Sequence, residues 1–179
     1  DDPDIDAFGS PHDYTYRGPG GPIVPSIPLD SIRLHGKLYF DEDDIRTYLA
    51  PDTPLSATEG RAGNLDQSIQ IMKRDFGYFL SKSVGFWWMD WGNGWYNDDR
   101  LMDTAAKIEQ IAQAALSRDR RPAAEIAVIV SEPSVDYLRA SANLIKPLQA
   151  QQICEELVRV GAPFDVCLLS DLDRLEPHK

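Results

Sequence analysis

Phe86-Trp87-Trp88-Met89 is apolar at four successive positions, closed off by Gly85 before it and Asp90 after it. A run so short is a strand rather than a helix, and one without polar alternates is covered on both faces. Such a strand belongs inside a parallel sheet flanked by helices, and its surroundings supply them. Upstream, Asn64 caps a helix with Gln67 as reciprocal partner, and Leu65, Ile69, Met72, Phe76 and Leu80 repeat at helical spacing on one face. Downstream, Asn97, Asp98 and Asp99 place acidic caps before a second stripe, Leu101, Ala105, Ile108, Ala112 and Leu116. Strand, helix, strand, helix in this order demands a parallel sheet joined by crossovers.

Two further strands precede this one. Residues 5–8 are short and alternating and end at the turn cluster Gly9-Ser10-Pro11, which delivers Ser10, His12 and Tyr14 to a rim. Residues 37–41 form the second strand. Between them, Gly18-Pro19-Gly20-Gly21-Pro22, Pro25 and Pro28 permit nothing regular, so 15–30 is a long loop. It reads equally as a linker or, with Tyr14, Tyr16 and Arg17, as an active-site loop. Residues 42–63 lack periodicity, and a loop of that length is usually functional or disordered.

A boundary falls at Arg118-Asp119-Arg120-Arg121-Pro122. Beyond it, Ile126 to Val130 is almost continuously β-branched, a helix runs from about 144 to 160 and stops at Gly161, and 164–169 is another buried strand. This is one βαβ unit of a second, doubly wound domain. No glycine-rich turn follows Val130, which argues against a dinucleotide site.

The net charge of −11 argues against nucleic acid and anionic membrane as partners, and no apolar window reaches membrane-span length. Neutral, polyhydroxylated or cationic ligands stay open. Cys154 and Cys167 lack metal-ligand spacing and read as buried free thiols. Asp1-Asp2-Pro3-Asp4 has neither a basic region nor an apolar core, so no signal peptide is expected here; the compartment stays open, with the cytoplasm favoured.

Two stretches carry candidate chemistry. Trp87, Trp88, Trp91 and Trp95 lie within nine residues, interleaved with Asp90, Gly92, Asn93 and Gly94. Indole faces stack on the C–H faces of sugars while carboxylates and amides bond the hydroxyls, so Trp91 or Trp95 is expected to face a ligand; of Trp87 and Trp88, one points in and one out. The acidic run Asp41-Glu42-Asp43-Asp44 has three readings: a solvated loop, an oxygen-ligand metal site, or a catalytic carboxylate kept ionised by Arg46 or Lys37. Glycoside hydrolysis needs such carboxylates in pairs.

The series Asp4-Ile5-Asp6, Ser10-Pro11, Tyr14, Arg17-Gly18-Pro19-Gly20-Gly21, Asp30-Ser31, His35-Gly36-Lys37, Glu42-Asp43-Asp44, Arg46-Thr47 and Gly85 to Asp90 resembles the last strands of a glycoside hydrolase barrel. It is similar to the β-galactosidase-like, family 42-type group of retaining enzymes. Residues 124–173 resemble the start of the flavodoxin-like β-galactosidase trimerisation domain. The resemblance implies an α/β chain: residues 1–119 as the C-terminal strands of a (β/α)8 TIM barrel, and 120–179 as the opening βαβ of a flavodoxin-like domain. It implies a retaining glycosidase with Glu42 as nucleophile, the acid/base glutamate lying outside this chain, which reads as a portion of a longer enzyme. Tyr14, Arg17, Arg46, Asp90, Trp91 and Trp95 are the expected substrate contacts. A carbohydrate substrate, no cofactor or metal, and a homo-oligomer, a trimer by likeness to the family, complete the expectation. A non-catalytic carbohydrate-binding or scaffold protein and a metal-dependent α/β hydrolase using residues 41–44 are the alternatives.

Overall fold

The computed structural model describes residues 2–54, 56, 60–92, 94–137 and 150–175. Three parallel strands, β1 (Ala7–Ser10), β2 (Leu38–Asp43) and β3 (Gly85–Trp88), form one sheet in sequence order. A 3-10 turn (Tyr14–Tyr16) and the short helix α1 (Leu29–Leu34) lie between β1 and β2, and α2 (Leu65–Lys82) crosses from β2 to β3. The next helix, α3 (Asp99–Ala115), packs on α2. Its buried stripe is Leu101, Thr104 and Ile108, while Leu116 lies past the helix end and is exposed.

The first two strands sit two residues later than their composition predicts at one or both ends. The acids at 41–43 lie inside β2, because pairing with β1 sets Ser10 beside Asp41 and pairing with β3 sets Glu42 beside Trp87 and Asp43 beside Trp88. Neighbouring strands on both sides outweigh the poor intrinsic strand preference of Asp. The Asn64 side chain accepts from the Gln67 N–H at 2.9 Å, as a helix cap should. The reciprocal bond from Gln67 Oε1 reaches the N–H of Gly63 instead of Asn64. α2 ends at Lys82, with Ser83 left-handed at φ 56°. Gly85 opens β3, where a Cβ would lie 2.6 Å from the Phe40 ring on β2.

A second sheet pairs β4 (Ile126–Val130) with β5 (Phe164–Leu168), also in parallel. A short helix α4 (Glu132–Val135) follows β4, and α5 (Gln151–Val160) enters β5 through Gly161 at φ 71°. Residues 144–149 of the predicted helix lie outside the described residues. A 3-10 turn (Leu169–Arg174) follows β5. Among the described residues the strands close no barrel; the architecture is mixed α/β with two small parallel sheets.

The two sheets are joined by the segment between β1 and β2. Val24 is packed in one core with Val128, Val130, Cys154, Phe164 and Val166. On α1, Asp30 Oδ2 accepts the N–H of Val166 and Ser31 Oγ that of Leu168, both at 2.7 Å. Lys82, at the end of α2, donates to Asp30 at 3.0 Å, to Asp165 at 2.9 Å and to the Phe164 carbonyl. Arg33 lies 3.1 Å from Asp30 and 3.3 Å from Asp165. Every charge in this buried knot has a counter-charge, which is what makes its burial tolerable. Both cysteines are free and buried. Among the described residues no helix is long and apolar enough to cross a membrane.

Candidate functional site

Side chains alternate across a strand, and residues in register on parallel neighbours share a face. On β2, Tyr39, Asp41 and Asp43 turn toward α2 together with Ser10, Phe86 and Trp88, while Leu38, Phe40 and Glu42 turn the other way with Gly9, Gly85 and Trp87. No described element lies over that second face: Leu38 is 61% exposed, Phe40 40% and Trp87 46%. Glu42 is the last residue of β2 on this open face, partly buried and in register with Trp87. Trp88 points into the helices, edge-on to Phe86 at 5.2 Å, so the two indoles do divide between the faces.

The remaining expected site residues spread around the carboxyl ends of the strands. Trp91 is 64% exposed and Asp90 is exposed. Tyr14 is exposed and its hydroxyl donates to Asp44 Oδ2 at 2.9 Å; partial burial and that bond raise its pKa. The Arg17 guanidinium lies 3.4 Å from the Tyr14 ring centroid. Arg17 itself is buried and donates to the carbonyls of His12 (2.6 Å) and Asp44 (2.8 Å), with the Asp44 carboxylate 3.2 Å away. That geometry suits a residue that holds the rim together rather than the direct substrate contact expected from sequence. Trp95 is buried too, its carbonyl accepting from the Thr47 hydroxyl, with the Arg46 guanidinium 5.3 Å from its ring. Its ring therefore offers no exposed face, whereas that of Trp91 does. Asn93 lies outside the described residues.

The covered face holds what sequence reading did not assemble. His12, just past β1, is buried, with Nδ1 2.9 Å from Asp41 Oδ1. Asp43 is 0% exposed, and neither carboxylate oxygen has a hydrogen-bond partner among the described residues. Asp75, on α2, is also fully buried and is gripped by Arg74 at 2.6 and 3.2 Å. Arg74 donates in turn to the carbonyls of Arg17, Gly18 and Gly21 at 2.8–2.9 Å, tying the glycine-rich loop to α2. Burial, with Asp75 and Asp41 beside it, holds the Asp43 carboxyl well above the ordinary carboxylate range. Asp75 was visible in principle: it falls on the stripe of Met72, Phe76 and Phe79, where a carboxylate needs a reason.

A cavity of about 620 Å³ opens at the opposite, amino end of the strands, lined by Lys37, Leu38, Phe79, Gly85 and Leu116 among others. It holds none of the acidic run, and parallel sheets place their chemistry at the carboxyl ends. Comparison of the chain with protein-family models, with curated proteins and with solved structures finds no match.

Proposed function

We propose that this chain is part of a retaining glycoside hydrolase of the β-galactosidase-like type, with Glu42 as nucleophile. The observation that carries the reading is the orientation of Glu42. Of the four consecutive acids, Asp41 and Asp43 turn toward the helices and Asp44 is engaged by Tyr14 and Arg17. Glu42 alone ends a strand on the face that no described element covers, in register with an indole. An open face lined with Leu38, Phe40 and Trp87 is what the wall of a (β/α)8 barrel presents to its own interior. The finer architecture follows: residues 1–119 as the closing strands of such a barrel, and 120–179 as the start of a flavodoxin-like domain.

In the proposed reaction the Glu42 carboxylate attacks the anomeric carbon, and a second carboxylic acid protonates the departing oxygen. Water then releases the sugar, with that second group now acting as base. The acid/base partner is contributed from outside residues 1–179. Trp91 and Asp90 line the rim for the sugar, with Tyr14 and Arg46 behind them. By likeness to the same family the β4–β5 unit carries subunit contacts in a trimer, a warrant from analogy alone.

The test uses the full-length protein and a panel of aryl glycosides. Glu42→Gln is expected to lower turnover at least about 10³-fold, the scale lost when a nucleophile is disabled. A 2-deoxy-2-fluoro glycoside should become covalently attached to the peptide carrying Glu42, read by mass spectrometry. Turnover within a few-fold of the parent protein, or a label on another carboxylate, overturns the assignment. Sugar binding with no turnover in the parent protein indicates a carbohydrate-binding scaffold.

A further inference from the structure

The cluster behind β2 is over-supplied with negative charge. Asp41, Asp43, Asp44 and Asp75 face two guanidiniums, Arg17 and Arg74, and Arg74 is already committed to Asp75 and to three carbonyls. His12, Asp43 and Asp75 each offer one ligand atom, and these atoms lie within 4.8 Å of one another. All three residues are essentially without solvent exposure.

Two independent observations point to something held among them. The first is Asp43, whose two oxygens are buried and receive no hydrogen bond from any described residue. A carboxylate so placed carries a heavy desolvation cost unless a cation or a proton compensates it. The second is His12. A carboxylate can only accept, so Asp41 selects the tautomer with the proton on Nδ1, 2.9 Å away, and leaves a lone pair on Nε2, which is buried without a partner among the described residues. A carboxylate that fixes the tautomer of an imidazole whose far nitrogen is a ligand is the usual outer shell of a histidine-bound metal.

We propose that His12 Nε2, Asp43 and Asp75 bind one divalent transition-metal ion of the Zn²⁺ or Mn²⁺ kind. The donor set decides the class: imidazole favours these ions over Mg²⁺ and Ca²⁺, and two carboxylates with no thiolate disfavour Cu⁺. Ligand atoms around such an ion stand about 2.0–2.2 Å from it. The three atoms close up by roughly 1 Å on binding, within reach of side-chain rotation for Asp43. Two positive charges match the excess of two carboxylates. The ion sits on the covered face, directly behind Glu42 in the chain, and pins the carboxyl end of β2 to β1 and α2. Its role is to fix the strand end, and it touches nothing on the open face, so the site stands whether or not Glu42 is a nucleophile.

The test is metal content and uptake in untagged full-length protein. After chelation and dialysis, titration with Zn²⁺ and with Mn²⁺ is expected to reach about one equivalent per chain by calorimetry and elemental analysis. At least one of the two ions should raise the melting temperature, reversibly with chelator. His12→Gln and Asp43→Asn, each near-isosteric, should each lower the affinity at least about 10-fold, and Asp103→Asn, exposed on α3, should leave it unchanged. Should either cluster variant fail to fold, the Co²⁺-loaded parent protein decides: an X-ray absorption spectrum with one imidazole and otherwise oxygen ligands supports the site. No stoichiometric uptake of either ion, uptake of Mg²⁺ alone, binding untouched in folded cluster variants, or a Co²⁺ shell lacking imidazole overturns it.

Discussion

The two faces of the three-stranded sheet depart from the usual arrangement, most clearly at the carboxyl end of β2. The face packed against α2 carries His12, Asp41 and Asp43 at its carboxyl end, whereas the face without a described cover carries Leu38, Phe40 and Trp87. A half-solvated sheet ordinarily does the opposite, hydrocarbon inward and charge outward. Alternate residues of one six-residue strand thus obey two environments. Inward carboxylates carry a desolvation cost, which Arg17 and Arg74 offset in part, whereas the outward apolar groups leave a contiguous hydrocarbon patch toward solvent. The contrast marks one face as a site for charge and leaves apolar groups on a face that no described element covers.

Three substitutions and one labelling experiment test how deep that contrast runs. Phe79, on α2, is buried and stacks on Phe86 at 4.8 Å, so Phe79→Ala is expected to cost about 3–5 kcal/mol of unfolding free energy in a denaturant titration. Lys82→Met leaves Asp30 and Asp165 facing one another with only Arg33 to compensate, and a broken buried pair costs about 3–5 kcal/mol, less here to the extent that water reaches Asp165. Hydrogen exchange should then accelerate at the amides of Val166 and Leu168. On the other face, Phe40→Ala in a protein comprising these residues alone should cost below about 1 kcal/mol, since the ring is 40% exposed. In the full-length protein the same change should cost several times more; equal small effects in both would break the barrel-wall reading.

The smallest effect concerns β5, which unlike β2 is buried on both faces from Phe164 to Cys167. Burial pushes the thiols of Cys154 and Cys167 up to about 12. At pH 8 only about one in 10⁴ is thiolate, so a disulfide reagent should find neither cysteine until the chain unfolds. Rapid native labelling of Cys167 would show that β5 has an open face after all.

The elements were legible where a local rule decides them. Asn64 and Asp98 cap their helices because each side chain bonds a nearby N–H, at 2.9 and 2.8 Å, and that geometry is written within four residues. The parallel order of the strands followed from their alternation with helices. The acids of β2 were not legible as strand, because their membership depends on neighbours about 30 residues before and 45 after. Nor was the difference between Glu42 and Asp43, one register step that exchanges faces. The tryptophan turn divides in the same way: Trp91 and Trp95 look alike in sequence, and only the fold shows that the Trp95 ring is buried, with the Arg46 guanidinium 5.3 Å away, while Trp91 is exposed. Asp75 and Lys82 do not stand out in the apolar periodicity of α2, although polar residues on such a stripe mark where the interior holds charge.

The grip of α1 on β5 limits how the second sheet can grow. With the amides of Val166 and Leu168 already engaged by Asp30 and Ser31, the outer margin of β5 lacks two of the donors an incoming strand would use. Among the described residues β5 thus pairs with β4 on one side and is held by α1 on the other.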